Sequence, residues 1–281
     1  METPETRGFF FDFVKKNPKK EDAMKKGMAA LAVVMVFMVS SPVLAHFGML
    51  IPSKATVSKA DPKTVDMQIS FSHPFEMKGM DMAKPKAFGV MSGGSKEDLL
   101  GTLKPIQVMD KAAWSSQFTL KKPGVYIFYM DPEPYWESAE DSFISHYTKV
   151  VVPAFGEEEG WDKEVGQKIE IVPLTRPFGL YAGNVFQGIV KVDGKPSAYA
   201  EVEIEFYNKD NKVEAPTEYM VTQSVKSDRN GVFTYAVPKA GWWGFAALTT
   251  ADFKIKKDGK DKAVEIGGVI WVYFQDWQMK K

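Results

Sequence analysis

The chain has no cysteine and only three histidines, His46, His73 and His146, in 281 residues. The first absence excludes disulfides, thiolate metal sites and a lipid anchor on a cysteine. It does not argue against export, because a chain of this size buries enough core to do without cross-links. Charge of one sign is lacking too. Lys and Arg number 36 against 36 Asp and Glu, so nothing calls for a polyanionic partner, and nucleic acid is disfavoured. The chain has no Gly-x-Ser-x-Gly, no phosphate loop, no His-Glu-x-x-His and no dinucleotide fingerprint. Hydrolytic catalysis therefore has no positive support, and the reading is non-enzymatic. Long apolar runs are missing as well. Residues 28–39 form a run of about 12, against the ~20 that a membrane span needs.

That short run sits where a secretory signal would. Met24-Lys25-Lys26-Gly27 is a basic lead-in, Ser40-Ser41-Pro42 breaks the apolar stretch, and Val43-Leu44-Ala45 offers small residues to a signal peptidase. Residues 1–45 are expected to be a signal peptide. Residues 1–23 look like an extended lead-in or a start assigned too early, with Met24 the better one. Cleavage after Ala45 makes His46 the first mature residue, implies a periplasmic location, and leaves a net charge of about −2. The mature chain has no run long enough to span a membrane.

The mature chain alternates apolar and polar residues and is rich in β-branched ones, while helical periodicity is scarce. Strands are expected at residues 64–71, 87–91, 114–120, 125–130 and 146–152. A helical turn is expected within 135–143 and a polar loop with a short helix within 155–167. A second region starts near Pro173-Leu174 and has a different grammar. Strands at 186–192, 200–207, 221–226, 232–237 and 242–248 are separated by Asp193-Gly194-Lys195-Pro196, residues 227–231 and residues 238–241. That order is similar to transthyretin-like modules. The expected fold is all-β, with two β-sandwich domains (Ig-like or transthyretin-like) at 46–172 and 173–281. Val202, Ile204 and Phe206 should share a face, residues 256–262 should form a charged hairpin tip, and 269–274 a terminal strand.

Chemistry is expected in the first domain. An N-terminal histidine offers two nitrogens, its α-amine and its ring, and a second histidine ring completes a three-nitrogen site. Such nitrogens suit Ni(II), Co(II), Cu(II) and Zn(II). The candidate metal ligands are His46, His73 and His146. His73 precedes Pro74, which holds it extended at a strand end. His146 opens a strand. Met77, Met80 and Met82 form a thioether cluster that would favour Cu(I), or a mobile cover with methionine as adaptable filler. Asp131 and Glu133, held extended by Pro132 and Pro134, are candidate oxygen ligands or acceptors for a histidine N–H, and Glu76 and Tyr147 are further candidates.

Several segments together resemble a known family. They are Ala45-His46-Phe47, Phe71-Ser72-His73-Pro74-Phe75-Glu76, Asp131-Pro132-Glu133-Pro134-Tyr135-Trp136, His146-Tyr147-Thr148-Lys149, Pro173-Leu174-Thr175-Arg176-Pro177 and Gly241-Trp242-Trp243-Gly244. The family comprises exported accessory proteins of nickel or cobalt uptake systems of the energy-coupling-factor type, otherwise known as a domain of unknown function. The resemblance implies a periplasmic protein that captures Ni(II) or Co(II) and passes it to a membrane transporter. Some members end in a transmembrane helix, which this chain lacks. Two alternatives stand beside it: a copper chaperone or resistance protein, and a histidine-brace copper monooxygenase.

Overall fold

In the computed structural model, residues 45–279 are described. The expected signal peptide lies outside them apart from Ala45. Ten strands form the central sheet. Its spatial path runs β16 (Gln223–Lys226), β15 (Glu201–Phe206), β18 (Gly241–Thr250), β21 (Val264–Gln275), β10 (Ser142–Ala154), β8 (Gly124–Asp131), β4 (Ala87–Ser92) and β5 (Ser95–Asp98). Two short strands join from the side, β9 (Tyr135–Glu137) on β10 and β12 (Leu180–Tyr181) on β21. Most neighbours in this sheet are antiparallel, but β10 and β21 run parallel, with His146 opposite Gly267.

A smaller sheet lies on each face. One has the order β1 (Phe47–Pro52), β2 (Thr64–His73), β7 (Lys111–Thr119), β6 (Lys104–Val108), with β3 (Lys78–Met80) folded back on β2. The other contains β11 (Ile169–Pro173), β13 (Val185–Val192), β14 (Lys195–Pro196) and β17 (Val232–Ala236). The strands β19 (Ile255–Lys257) and β20 (Lys260–Lys262) make the expected charged hairpin.

Period-two alternation sends successive side chains of the central sheet to opposite faces, and each face has its own core. Phe128, Val150, Ala246, Val269 and Trp271 meet Phe47, Met49, Met67 and Ile69 of the first small sheet. Val202, Ile204, Phe245, Ile270 and Val272 meet Ile171, Phe186, Val190 and Phe233 of the second. Phe206 packs with the latter group, sharing the face of Val202 and Ile204. The fold is thus all-β with β-sandwich packing, and the two layer pairs share the central sheet. The expected divide between residues 172 and 173 falls at the end of β11, and the central sheet takes strands from both sides of it. The described residues 45–279 belong to one compact unit.

Two local expectations are corrected. No helix lies in 135–143, where β9 pairs Tyr135 with Ile144 and Glu137 with Ser142, and a tight turn closes the hairpin. None lies in 155–167, which is a strap of turns. A buried carboxylate holds that strap down. Glu170 accepts from the Lys149 ammonium at 2.6 Å and from the Val165 and Gly166 N–H groups at 2.9 and 3.0 Å. No helix among the described residues is long and apolar enough to cross a membrane.

Candidate functional site

The site forms where β1 and β2 begin and end. They pair antiparallel, with Phe47 opposite Ser72, which brings His46 beside His73. The two rings lie 4.7 Å apart, centroid to centroid, at 48°. His73 is the last residue of β2, and Pro74 holds it extended before a turn that reverses into β3. The turn is pinned from β15 and the residues after it. Asn208 N–H donates to the Pro74 carbonyl at 3.2 Å, and its side-chain amide donates to the Phe75 carbonyl at 3.1 Å. Phe75 N–H in turn donates to Glu205 Oε2 at 3.3 Å. A strand end mobile in most sheets is here tied at three points.

His46 stacks on Phe71 at 5.6 Å, and its Nε2 meets Glu137 Oε2 at 3.2 Å. With Nε2–H donated to the carboxylate, Nδ1 keeps its lone pair. His73 Nδ1–H donates to the Ala45 carbonyl at 2.7 Å. Burial lowers the affinity of both rings for a proton. His46 falls to about 4, through burial first and then the nearby charges of His73 and His146, with Glu137 opposing. His73 is lowered by burial, against the Ala45 carbonyl and Glu76. Both rings are therefore neutral at neutral pH, the form a metal requires.

His146 sits five residues into β10, not at a strand start, because pairing with β9 and β21 extends the strand back to Ser142. Its ring stands edge-on to Phe71 at 5.7 Å, so Phe71 separates it from His46. The ring lies over Gly267, where a Cβ would come within 2.7 Å of Nε2. His146 Nδ1 accepts the Gly48 N–H at 3.3 Å, which leaves the proton on Nε2. Nε2 is buried without a hydrogen-bond partner, 3.8 Å from Glu265 Oε1. Burial pushes the Glu265 carboxyl up, but His146 and His46 outweigh it and hold the group below its ordinary range. Beside His146 lies a cavity of about 130 Å³, walled by Phe71, Met82, Met130, Tyr135 and Ile144.

The other expected residues fall as follows. Met77 and Met80 are half-buried against the core, Met77 in the left-handed region that the turn requires, and Met82 is buried. All three pack against the same core as the strands. Asp131 accepts from the Gln167 side chain at 2.8 Å, and burial pushes its carboxyl up. Glu133 pairs with Lys86 at 3.6 Å and borders the cavity. Glu76 is exposed, close enough to His73 to bear on its charge. Tyr147 faces the opposite core from His146, as alternation dictates. The acidic partners of the histidines are instead Glu137 and Glu265, which the sequence does not single out. For Glu137 a signal existed: in a strand, Tyr135 and Glu137 share a face, and both reach His46. For Glu265, 119 residues beyond His146 in sequence, none did.

Among the described residues, no three His, Asp or Glu side chains stand at the spacing that would hold a metal by themselves.

A family model described as "Domain of unknown function (DUF4198)" matches residues 43–251. No curated protein matches the chain. Several solved structures are distantly similar. The fibronectin(III)-like modules of Clostridium thermocellum CbhA share 10% identity over 83% of this chain and 97% of theirs, with a TM-score of 0.23. The adhesin InvE of Yersinia pseudotuberculosis shares 9% over 79% of this chain and 58% of its own, with a TM-score of 0.21. Latent PorU from Porphyromonas gingivalis shares 10% over 82% and 20%, at 0.22. Likeness of that depth bears on neither the site nor its chemistry.

Proposed function

The chain belongs to the DUF4198 family, whose description assigns no activity, and we propose from the site itself that it is an exported, non-enzymatic carrier of a transition-metal ion. Ni(II) or Co(II) is the cargo, taken up in the periplasm and handed to a membrane transporter. The observation that carries the reading is the meeting of His46 and His73, neutral and buried, 4.7 Å apart at the end of one strand pair. Two of only three histidines converge on the point where an N-terminal amine would appear.

In this reading the His46 amine and Nδ1 close a chelate ring on the ion, and a ring nitrogen of His73 completes the set. Glu137 orients the His46 ring through Nε2 and supplies compensating negative charge. His146 and Glu265 lie behind Phe71 and tune the field of the site. The ion leaves by ligand exchange, for which a three-nitrogen set with open positions is suited.

The test is calorimetric titration of Ni(II), Co(II) and Cu(II) into the chain beginning at His46, beside His73→Ala and Glu137→Gln. Loss of binding in His73→Ala and a weakening of about 10- to 100-fold in Glu137→Gln are expected. Unchanged affinity in His73→Ala refutes the site. A second reading, a copper carrier, has one observation behind it: the thioethers of Met82 and Met130 wall the cavity beside His146, and soft sulfur favours Cu(I). Nitrogen-rich sites bind Cu(II) more tightly than Ni(II) whatever their role. Cu(I) is therefore the discriminating titrant, and its binding should weaken in Met82→Leu only if this second reading holds.

A further inference from the structure

One peptide unit carries two roles at this site. The Ala45 carbonyl accepts the His73 Nδ1–H at 2.7 Å, and both residues are buried. The nitrogen of the same peptide unit belongs to His46. Carbonyl oxygen and amide nitrogen of one planar unit lie about 2.3 Å apart, so the His46 nitrogen is within about 5 Å of His73 Nδ1. One metal ion holds two nitrogens up to about 4 Å apart, at about 2.1 Å from each, so the pair needs to close by about 1 Å at most. While the peptide bond is intact, neither atom can act as a donor. The His73 Nδ1 position carries a proton engaged by the carbonyl, and the His46 nitrogen has its lone pair delocalised into the amide.

We infer that the Ala45–His46 peptide unit is a plug, and that its hydrolysis opens both nitrogens at once. Water adds across the C–N bond. The hydroxyl goes to the Ala45 carbon, which departs with the preceding segment as a carboxylate, and the proton goes to the His46 nitrogen, which becomes an amine. His73 thereby loses its acceptor and is free to place its proton on Nε2, while a basic nitrogen appears within about 5 Å. The metal-binding half of this statement rests on the function proposed above. The release of His73 does not. The consequence is a site that a peptidase completes: the uncut chain lacks the amine and the His73 Nδ1 lone pair on the synthesis side of the membrane, and the cut chain has both on the far side.

Three metal-free forms test this: the full uncut chain, the chain beginning at His46, and a chain beginning at N-acetylated Ala45. Cooperative unfolding of each by circular dichroism establishes that all three are folded. Histidine side-chain ¹⁵N–¹H spectra, assigned with His73→Gln, read the ring directly. The uncut and acetyl-Ala45 forms should both show a protected proton on His73 Nδ1, and the His46-first form should lose it. Native mass spectrometry with Ni(II) follows. Losing an outer hydrogen-bond partner alone weakens metal sites about 10- to 100-fold, so blocking two direct donors should weaken the uncut and acetylated forms more than about a hundredfold. An identical His73 spectrum in all three forms overturns the plug, as does equal Ni(II) affinity in cut and uncut chains. A changed spectrum with no Ni(II) binding by any form keeps the plug and removes the metal reading.

Discussion

Glu205 offers the sharpest test of how the His73 turn is held. Its side chain is 1% exposed, on the face of β15 that meets the His73–Phe75 segment. It accepts from Phe75 N–H and pairs with the Thr222 hydroxyl. Burial pushes its carboxyl up to about 8 from 4.5, against the two hydrogen bonds and with help from the neighbouring Glu203 and Glu76. Folded protein therefore holds a proton at Glu205 that unfolded protein has lost. The stabilisation is whole below about 4.5, drains as pH rises, and is gone above about 8. At about 1.36 kcal/mol per unit, that span is worth on the order of 5 kcal/mol. Glu205→Gln keeps the shape and an oxygen for Phe75 N–H, and the Thr222 hydroxyl can turn to accept from the new amide. Urea unfolding of metal-free protein at pH 5, 6.5 and 8 should show the variant near the parent at pH 5 and more stable by about 2–4 kcal/mol at pH 8. The m-value should stay unchanged. A variant with the same pH slope as the parent refutes a buried, protonated Glu205.

Other substitutions probe the remaining supports. Asn208→Ala strips the donor to Phe75 and Val213 carbonyls and the acceptor for Lys212 and Val213 N–H; it should cost about 2–4 kcal/mol in urea unfolding and weaken Ni(II) binding with His73 intact. Gly267→Ala places a methyl within 2.7 Å of His146 Nε2. It should shift the His146 ring resonances by NMR and destabilise by about 1–3 kcal/mol. Lys149→Met leaves Glu170 buried with only two N–H partners and should cost about 3–5 kcal/mol, much of it recovered in the double variant with Glu170→Gln. Bound Ni(II) should raise the midpoint of thermal unfolding of the His46-first chain in proportion to the logarithm of its concentration, and a chelator should reverse it.

Strands with one buried face were readable because alternation marks them. Val202-x-Ile204-x-Phe206 is the clearest case. β1 was not, since all six of its residues are buried and no polar member breaks the pattern. The strand start before His146 was hidden by the polar residues Ser142 and Ser145, which are tolerated because neighbours on both sides pair with the backbone. Of the site, histidine scarcity and Pro74 pointed to His46 and His73. The acidic partners were misplaced because local stiffness drew attention to Asp131 and Glu133. A distant amide, Gln167, claims the first, and hairpin pairing turns Glu137 toward His46. Glu265 reaches His146 only through a strand pairing that no local pattern encodes.

That pairing has a consequence for how the molecule comes into being. β10 and β21 lie side by side in the middle of the largest sheet, yet they are separated by more than a hundred residues. A chain made from its first residue delivers β10 long before its neighbour. Until the last strand emerges, the Ser142–Ala154 backbone has an open edge, and the apolar faces on either side of it are uncovered. The protein should therefore need a chaperone more than its size suggests. Truncations that remove only the final dozen residues should leave the whole chain prone to aggregation, including the end that carries the histidines.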